Sequence, residues 1–194
     1  MQIYVDRKKK ISDTDFFIYD DLYRLIFTSK AKNILSYMLS EISLNNSSQE
    51  SICYLRQINI LLKLLSIIPV VGMFVECPYY FYKDSVCKGR TKRMYASYEI
   101  KIDKNTYRIR LHTECKISIW LNENQVGIVN KITTSELDKD RFCVIFNSTL
   151  DVETIALLTI FALVTFLDDY GMSEIRYTYV PFDKYNIAEW KPEE

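Results

Sequence analysis

A chain of 194 residues, 48% of them hydrophobic, is long enough to build one domain with a large core. Twenty-five basic and twenty-five acidic side chains cancel, which removes whole-molecule attraction to nucleic acid or to an anionic membrane and leaves only local patches to consider. Four Gly and four Pro exclude a linker-rich or disordered chain, while fifteen Tyr and ten Phe favour strands over a helical bundle.

Ile3 and Val5 open the chain as a strand. The cluster Arg7, Lys8, Lys9 and Lys10 is followed by no apolar run, so this start does not read as a secretory signal. Residues 16–19 and 22–28 form a hairpin around Asp20 and Asp21. Residues 32–42 carry Ile34, Leu35, Met38, Leu39 and Ile42, a spacing that fits a short amphipathic helix or another strand. A turn at 45–48 and a strand over 52–58 follow. Residues 58–75 are apolar but contain Asn59, Lys63, Ser66, Pro69 and Gly72, so they make a poor membrane span. Their β-branched residues read better as one or two buried strands turning near Pro69.

From residue 98 the pattern becomes regular. Tyr98, Ile100 and Ile102 alternate with Glu99 and Lys101, and a turn follows at 103–105. Tyr107, Ile109 and Leu111 then alternate with Arg108, Arg110 and His112. Further alternating runs cover 117–121, 126–128 and 142–146. A period of two broken by short polar turns means antiparallel strands with one wet face. Residues 155–167 break that pattern. They are apolar on every side of a helix, and thirteen residues are short against the roughly 20 that cross a bilayer. Such a helix, placed at about 153–167, must be buried all round. Asp151 and Glu153 suit its N-terminus, and Asp168, Asp169 and Gly171 stop it. Ile175, Tyr177 and Tyr179 then alternate as a last strand.

Many strands, one wholly apolar helix and a final strand is an uncommon order. It resembles the tubby C-terminal domain and its relatives, the LURP-one-related proteins and the phospholipid scramblases. The matching pieces are Tyr98 to Ile102, Tyr107 to Ile109, Ser118-Ile119 to the run Gln125 to Lys131, and the helix between Asp151 and Asp169, with Phe16 to Asp20 and Ile26-Phe27 as a first hairpin. The resemblance implies a mainly β (α+β) single domain over 1–194, a closed antiparallel barrel around one buried C-terminal helix. A helix lying on an open sheet is the alternative, but it leaves one helix face uncovered.

Chemistry is sparse. Cys53, Cys77, Cys87, Cys115 and Cys143 are odd in number and hold no CxxC pair, which argues against zinc and disulfides and for a reduced, cytosolic chain. His112 and Cys115 are an odd offset apart, on opposite faces of a strand, so they do not make a thiol dyad; His112 belongs on the polar face beside Arg108 and Arg110. Paired acids such as Asp20-Asp21 more often close turns than hold metals. No cofactor or metal is implied, and no catalytic group. Lys88, Arg90 and Lys92 are spaced by two, so one strand face carries all three, with Arg93 beside them and Gly89 between. That cluster is the candidate site for an anion, in particular a phospholipid headgroup at a membrane surface. In tubby itself basic strand residues hold a phosphoinositide. The competing expectation is a protein-interaction, immunity or regulatory factor that docks through exposed aromatics, Trp120 and the tail from Tyr185 to Trp190 among them. Nucleic acid is not an expected partner.

Overall fold

Among the described residues, seven that are not glycine sit in the left-handed region: Tyr23, Gln49, Asp84, Ser85, Asp103, Asn122 and Glu123. Each lies in a tight connection between two alternating runs, and the short polar turns are what fold this chain back on itself. The computed structural model describes residues 1–9, 13–34, 38–58, 77–94, 97–112, 116–132, 140–167 and 190–192.

The strands are β1 (Gln2–Lys9), β2 (Asp13–Tyr19), β3 (Leu25–Ile34), β4 (Met38–Asn45), β5 (Ser51–Gln57) and β6 (Tyr79–Lys83). They continue as β7 (Val86–Met94), β8 (Ser97–Ile102), β9 (Asn105–Leu111), β10 (Ile117–Leu121), β11 (Asn124–Ile132) and β12 (Asp140–Phe146), and the helix α1 spans Val152–Leu167. Each strand pairs antiparallel with its sequence neighbours, and β1 pairs with β12, so the sheet closes. Closure leaves no sheet edge and precedes the helix in the chain.

A barrel of about eight strands is filled by its own side chains, and a wider one must enclose something. Twelve strands leave a lumen that a helix about 10 Å across fills. Ile155, Leu157, Leu158, Ile160, Phe161 and Leu163 are all fully buried, against inward residues such as Val5, Phe16, Ile42, Leu55, Ile109 and Phe142. The helix is therefore covered on every side, and the open-sheet alternative is excluded. α1 lies nearest β4, β5 and β9.

Strand direction alternates around the barrel, so the turns at 20–24, 46–50, 84–85, 103–104 and 122–123 share one end. The helix enters at that end. Asp151 is its N-cap: Oδ2 accepts from the Thr154 backbone N–H at 3.3 Å and from the Thr154 hydroxyl at 2.6 Å. Lys83, at the tip of β6, bridges Asp151 at 3.2 Å and Glu153 at 2.7 Å. These pairs hold the Lys83 ammonium pKa above its usual value, and the helix start is tied to the barrel wall.

The short helix offered as one option for 32–42 is not formed in its described part: 32–34 end β3, 38–42 begin β4, and the two strands pair there. Opposite the step from Lys32 to Asn33, Ser40 is an extra residue on β4, so Leu39 and Ile42, three apart as on a helix, both face the core. The expectations for 59–75, for the stop at 168–171 and for a strand at 175–179 lie outside the described residues.

Candidate functional site

The basic cluster lies on β7, the most exposed strand of the barrel. A two-residue turn at Asp84–Ser85, both at positive φ, folds β6 back into β7. Tyr82 pairs with Cys87 and Phe81 with Gly89, so Lys88 is the extra residue of a bulge. Gly89 is required there: a Cβ would fall 1.6 Å from the Lys101 carbonyl oxygen. Its absence lets β7 lie close on β8. Thr91 points inward, and its hydroxyl oxygen accepts from the Tyr79 backbone N–H at 2.9 Å.

Beyond the bulge, alternation sends Arg90 and Lys92 outward, and both are exposed. Lys88 is partly buried at the bulge. Among the described residues none of the three forms an ion pair. Arg93 pairs across to Tyr98, whose ring is buried against the helix, so it alternates away from the Arg90–Lys92 face and is exposed at the barrel rim. The structure thus groups Arg90 and Lys92, sets Lys88 beside them on the bulge, and turns Arg93 aside.

Register adds residues that spacing alone did not bring in. Arg90 lies between Tyr80 of β6 and Lys101 of β8, and Arg56 of β5 lies beyond Tyr80. Arg56, Tyr80, Arg90 and Lys101 form one row across four strands, about 14 Å long at the usual strand spacing. Arg56 is held by Glu41 at 3.5 Å. Lys92 faces Glu99, which binds Arg108 at 3.4 Å and Lys101 at 3.9 Å. Tyr82 of the same wall stacks on Tyr54 with ring centroids 4.7 Å apart. The alternation of Glu99 and Lys101 was visible in sequence, but the strand pairing that sets Lys101 beside Arg90 was not.

The N-terminal basic cluster is divided. Arg7 is buried and lies 3.8 Å from Asp140, whereas Lys8 is exposed. Lys9 and Lys10 lie outside the described side chains.

The wall of β9 and β10 carries a buried polar chain. Trp120 Nε1 donates to Ser118 Oγ at 2.7 Å, and Ser118 Oγ lies 2.6 Å from His112 Nε2. The indole N–H donates to Ser118, whose oxygen can accept twice, so the direction of the Ser118–His112 bond follows the imidazole tautomer. Burial, aided by Arg110, pulls the His112 pKa down to about 4. His112 shares the outward face of Arg108 and Arg110 as expected, yet it is buried. One expectation is corrected. Trp120 is only 9% exposed, so it offers no docking surface. Trp190 is partly buried, and its Nε1 donates to the Gln125 carbonyl at 2.9 Å. The arrangement resembles a serine–histidine dyad, but Ser118 is fully buried and its oxygen is already engaged. The rest of the tail proposed as a docking surface, together with Cys115, lies outside the described residues.

Asp20 closes its own turn, as turn chemistry requires. Its carboxylate accepts from the Leu22 and Arg24 backbone N–H groups and from Arg24 Nε, and the Arg24 backbone N–H is the largest cause of its lowered pKa. No cluster able to hold a metal is present among the described residues. No helix of the described residues is long and apolar enough to cross a membrane.

No family model and no curated protein matches this chain. An X-ray structure of a protein from Arabidopsis thaliana is similar, with a TM-score of 0.50 and 15% identity over 88% of this chain and 92% of that one. The likeness is one of fold.

Proposed function

We propose that the protein is a non-catalytic intracellular module of the tubby-like and LURP-one-related kind, binding an anionic phospholipid headgroup through the outer face of β7 and β8. The observation that carries this reading is the juxtaposition of Arg90 with Lys101, and of Lys92 one step along the strand, all exposed. Two adjacent cations, one of them a planar guanidinium, suit a phosphate. The sealed Ser118 supports a binding role over a hydrolytic one. The described cysteines form no disulfide, which fits a reducing compartment. Co-sedimentation with vesicles containing phosphoinositide or other anionic lipids tests it. The Lys88→Ala, Arg90→Ala, Lys92→Ala triple variant should lose binding; binding equal to wild type would end the headgroup reading.

A second reading is an interaction or regulatory protein with no lipid ligand. It draws support from Met1, Leu22, Tyr23 and Leu25, which are exposed together near the 20–24 turn. Under that reading, capture of a protein partner is abolished by Leu22→Ser with Leu25→Ser and unaffected by the triple alanine change.

A further inference from the structure

We propose that the turn end of the barrel, with the tip of the β2–β3 hairpin as its anchor, docks a cationic amphipathic segment of a protein partner. This rests on the interaction reading and names the chemistry of the partner. Among the described residues seven large hydrophobic side chains are exposed, and five of them, Met1, Leu22, Tyr23, Leu25 and Val86, stand at this one end. Three belong to the hairpin tip, where Leu22 is 68% exposed, Tyr23 52% and Leu25 45%. Turns are ordinarily built from small polar residues, so turn chemistry does not account for Leu and Tyr there. Leu25 pairs with Tyr19 and Tyr19 with Tyr4, so these three side chains share one outward row that carries the surface down the wall.

The tip is held rigid. Tyr23 sits at φ 57°, a strained position for a bulky residue. Its ring stacks on Tyr4 with centroids 4.4 Å apart, and the Arg141 guanidinium lies 5.6 Å from its centre. Arg141 is itself fixed by Asp6 at 2.6 and 2.8 Å. Little conformational freedom is left to lose on binding, which suits an interface anchor. Charge selects the occupant. Residues 20–24, 46–50, 83–85, 103–104, 122–123 and 151–153 hold eight carboxylates against Arg24, Lys83 and Lys104, a surplus of five, or four with the Met1 ammonium. Arg24 and Lys83 are already paired with acids of the same end. Asp21, Glu50, Asp84 and Asp103 are exposed and form no ion pair among the described residues. Such an end is repelled by an anionic bilayer and attracts a cationic segment, so the apolar tip meets protein. An apolar stripe on that segment covers Leu22 and Leu25.

The test measures, by fluorescence anisotropy, how the full chain binds three labelled peptides of about 18 residues, long enough to present a helical face. They are a Lys/Leu peptide with every Leu on one side, its scrambled isomer, and a Glu/Leu peptide of the first pattern. The patterned Lys/Leu peptide should bind about tenfold more tightly than either of the others. Leu22→Ser with Leu25→Ser should weaken that binding about tenfold, and Asp21→Asn with Glu50→Gln about fivefold. Equal binding of the scrambled peptide overturns the proposal, because charge alone then suffices. Equal binding of the Glu/Leu peptide also overturns it and leaves the interaction reading standing with a partner that is not basic. Unchanged binding in the Leu22, Leu25 variant moves the contact off the hairpin tip and overturns it as well. If no peptide binds, the proposal falls, while the interaction reading keeps its own test in partner capture. All four substituted side chains are exposed, so circular dichroism of both variants should match wild type.

Discussion

Phe161 is the side chain on which the packing of helix against barrel can be measured. It is fully buried at the middle of α1. Its ring meets Tyr79 edge-on at 5.4 Å and 68°, and Tyr98 at 5.0 Å and 80°. Truncating a buried Phe to Ala generally costs about 3–5 kcal/mol. Two edge-to-face partners, each worth roughly 0.5–1.5 kcal/mol, place Phe161→Ala in the upper part of that range. Phe161→Leu keeps most of the apolar volume and loses both ring pairs, so about 1–3 kcal/mol is expected. Against a total stability of roughly 5–15 kcal/mol, the Ala change removes a third or more. At about 2–4 °C per kcal/mol, it should lower Tm by roughly 10–20 °C. Urea unfolding followed by circular dichroism, with an unchanged m-value, reads the difference. A loss under about 1 kcal/mol for Phe161→Ala would refute the inference that the helix is clasped by Tyr79 and Tyr98.

Other expectations follow from single contacts. His112 has a folded pKa of about 4, below the ordinary 6.5. As pH falls through 6.5 the unfolded chain takes up a proton that the fold refuses, so stability should decline between there and about 4, by on the order of 2 kcal/mol at pH 5, and stay level above 7. His112→Gln should flatten that slope in urea midpoints measured at the two pH values. Thr159 is fully buried and its hydroxyl has no hydrogen-bond partner among the described residues, so Thr159→Val should raise stability by about 1 kcal/mol. A decrease on urea unfolding would reveal a partner. Asp151→Ala removes the N-cap, and thermal unfolding should register about 1–2 kcal/mol lost. Gly89→Ala drives a methyl group into the Lys101 carbonyl and should cost on the order of 2–4 kcal/mol. Wild-type stability in that variant would mean β7 does not lie so close on β8.

Much of the barrel was readable because its chemistry is local. The alternation from Tyr98 to Leu111 and the all-apolar run from Ile155 to Leu167 each report their own burial, and together they call for a closed wall around a helix. Residues 32–42 were ambiguous because a bulge adds one residue to a strand and mimics helical spacing. The site was readable only in part. Spacing placed Arg90 and Lys92 together, but the bulge that displaces Lys88 and the alternation that turns Arg93 aside depend on the β6–β7 turn, whose length the sequence does not display. Lys101, Tyr80 and Arg56 join through register between strands, which is a non-local property. Trp120 misled for the same reason. Its outward position was correct, and its burial is set by contacts distant in sequence.

The central claim is that α1 is sealed within the barrel, and amide hydrogen exchange of the native monomer tests it most directly. Amides of residues 155–167 should exchange only on global unfolding, with protection equal to the slowest strands and falling in parallel with them as urea is added. Exchange of those amides within minutes, while the strand amides of β9 and β10 stay protected, would contradict it.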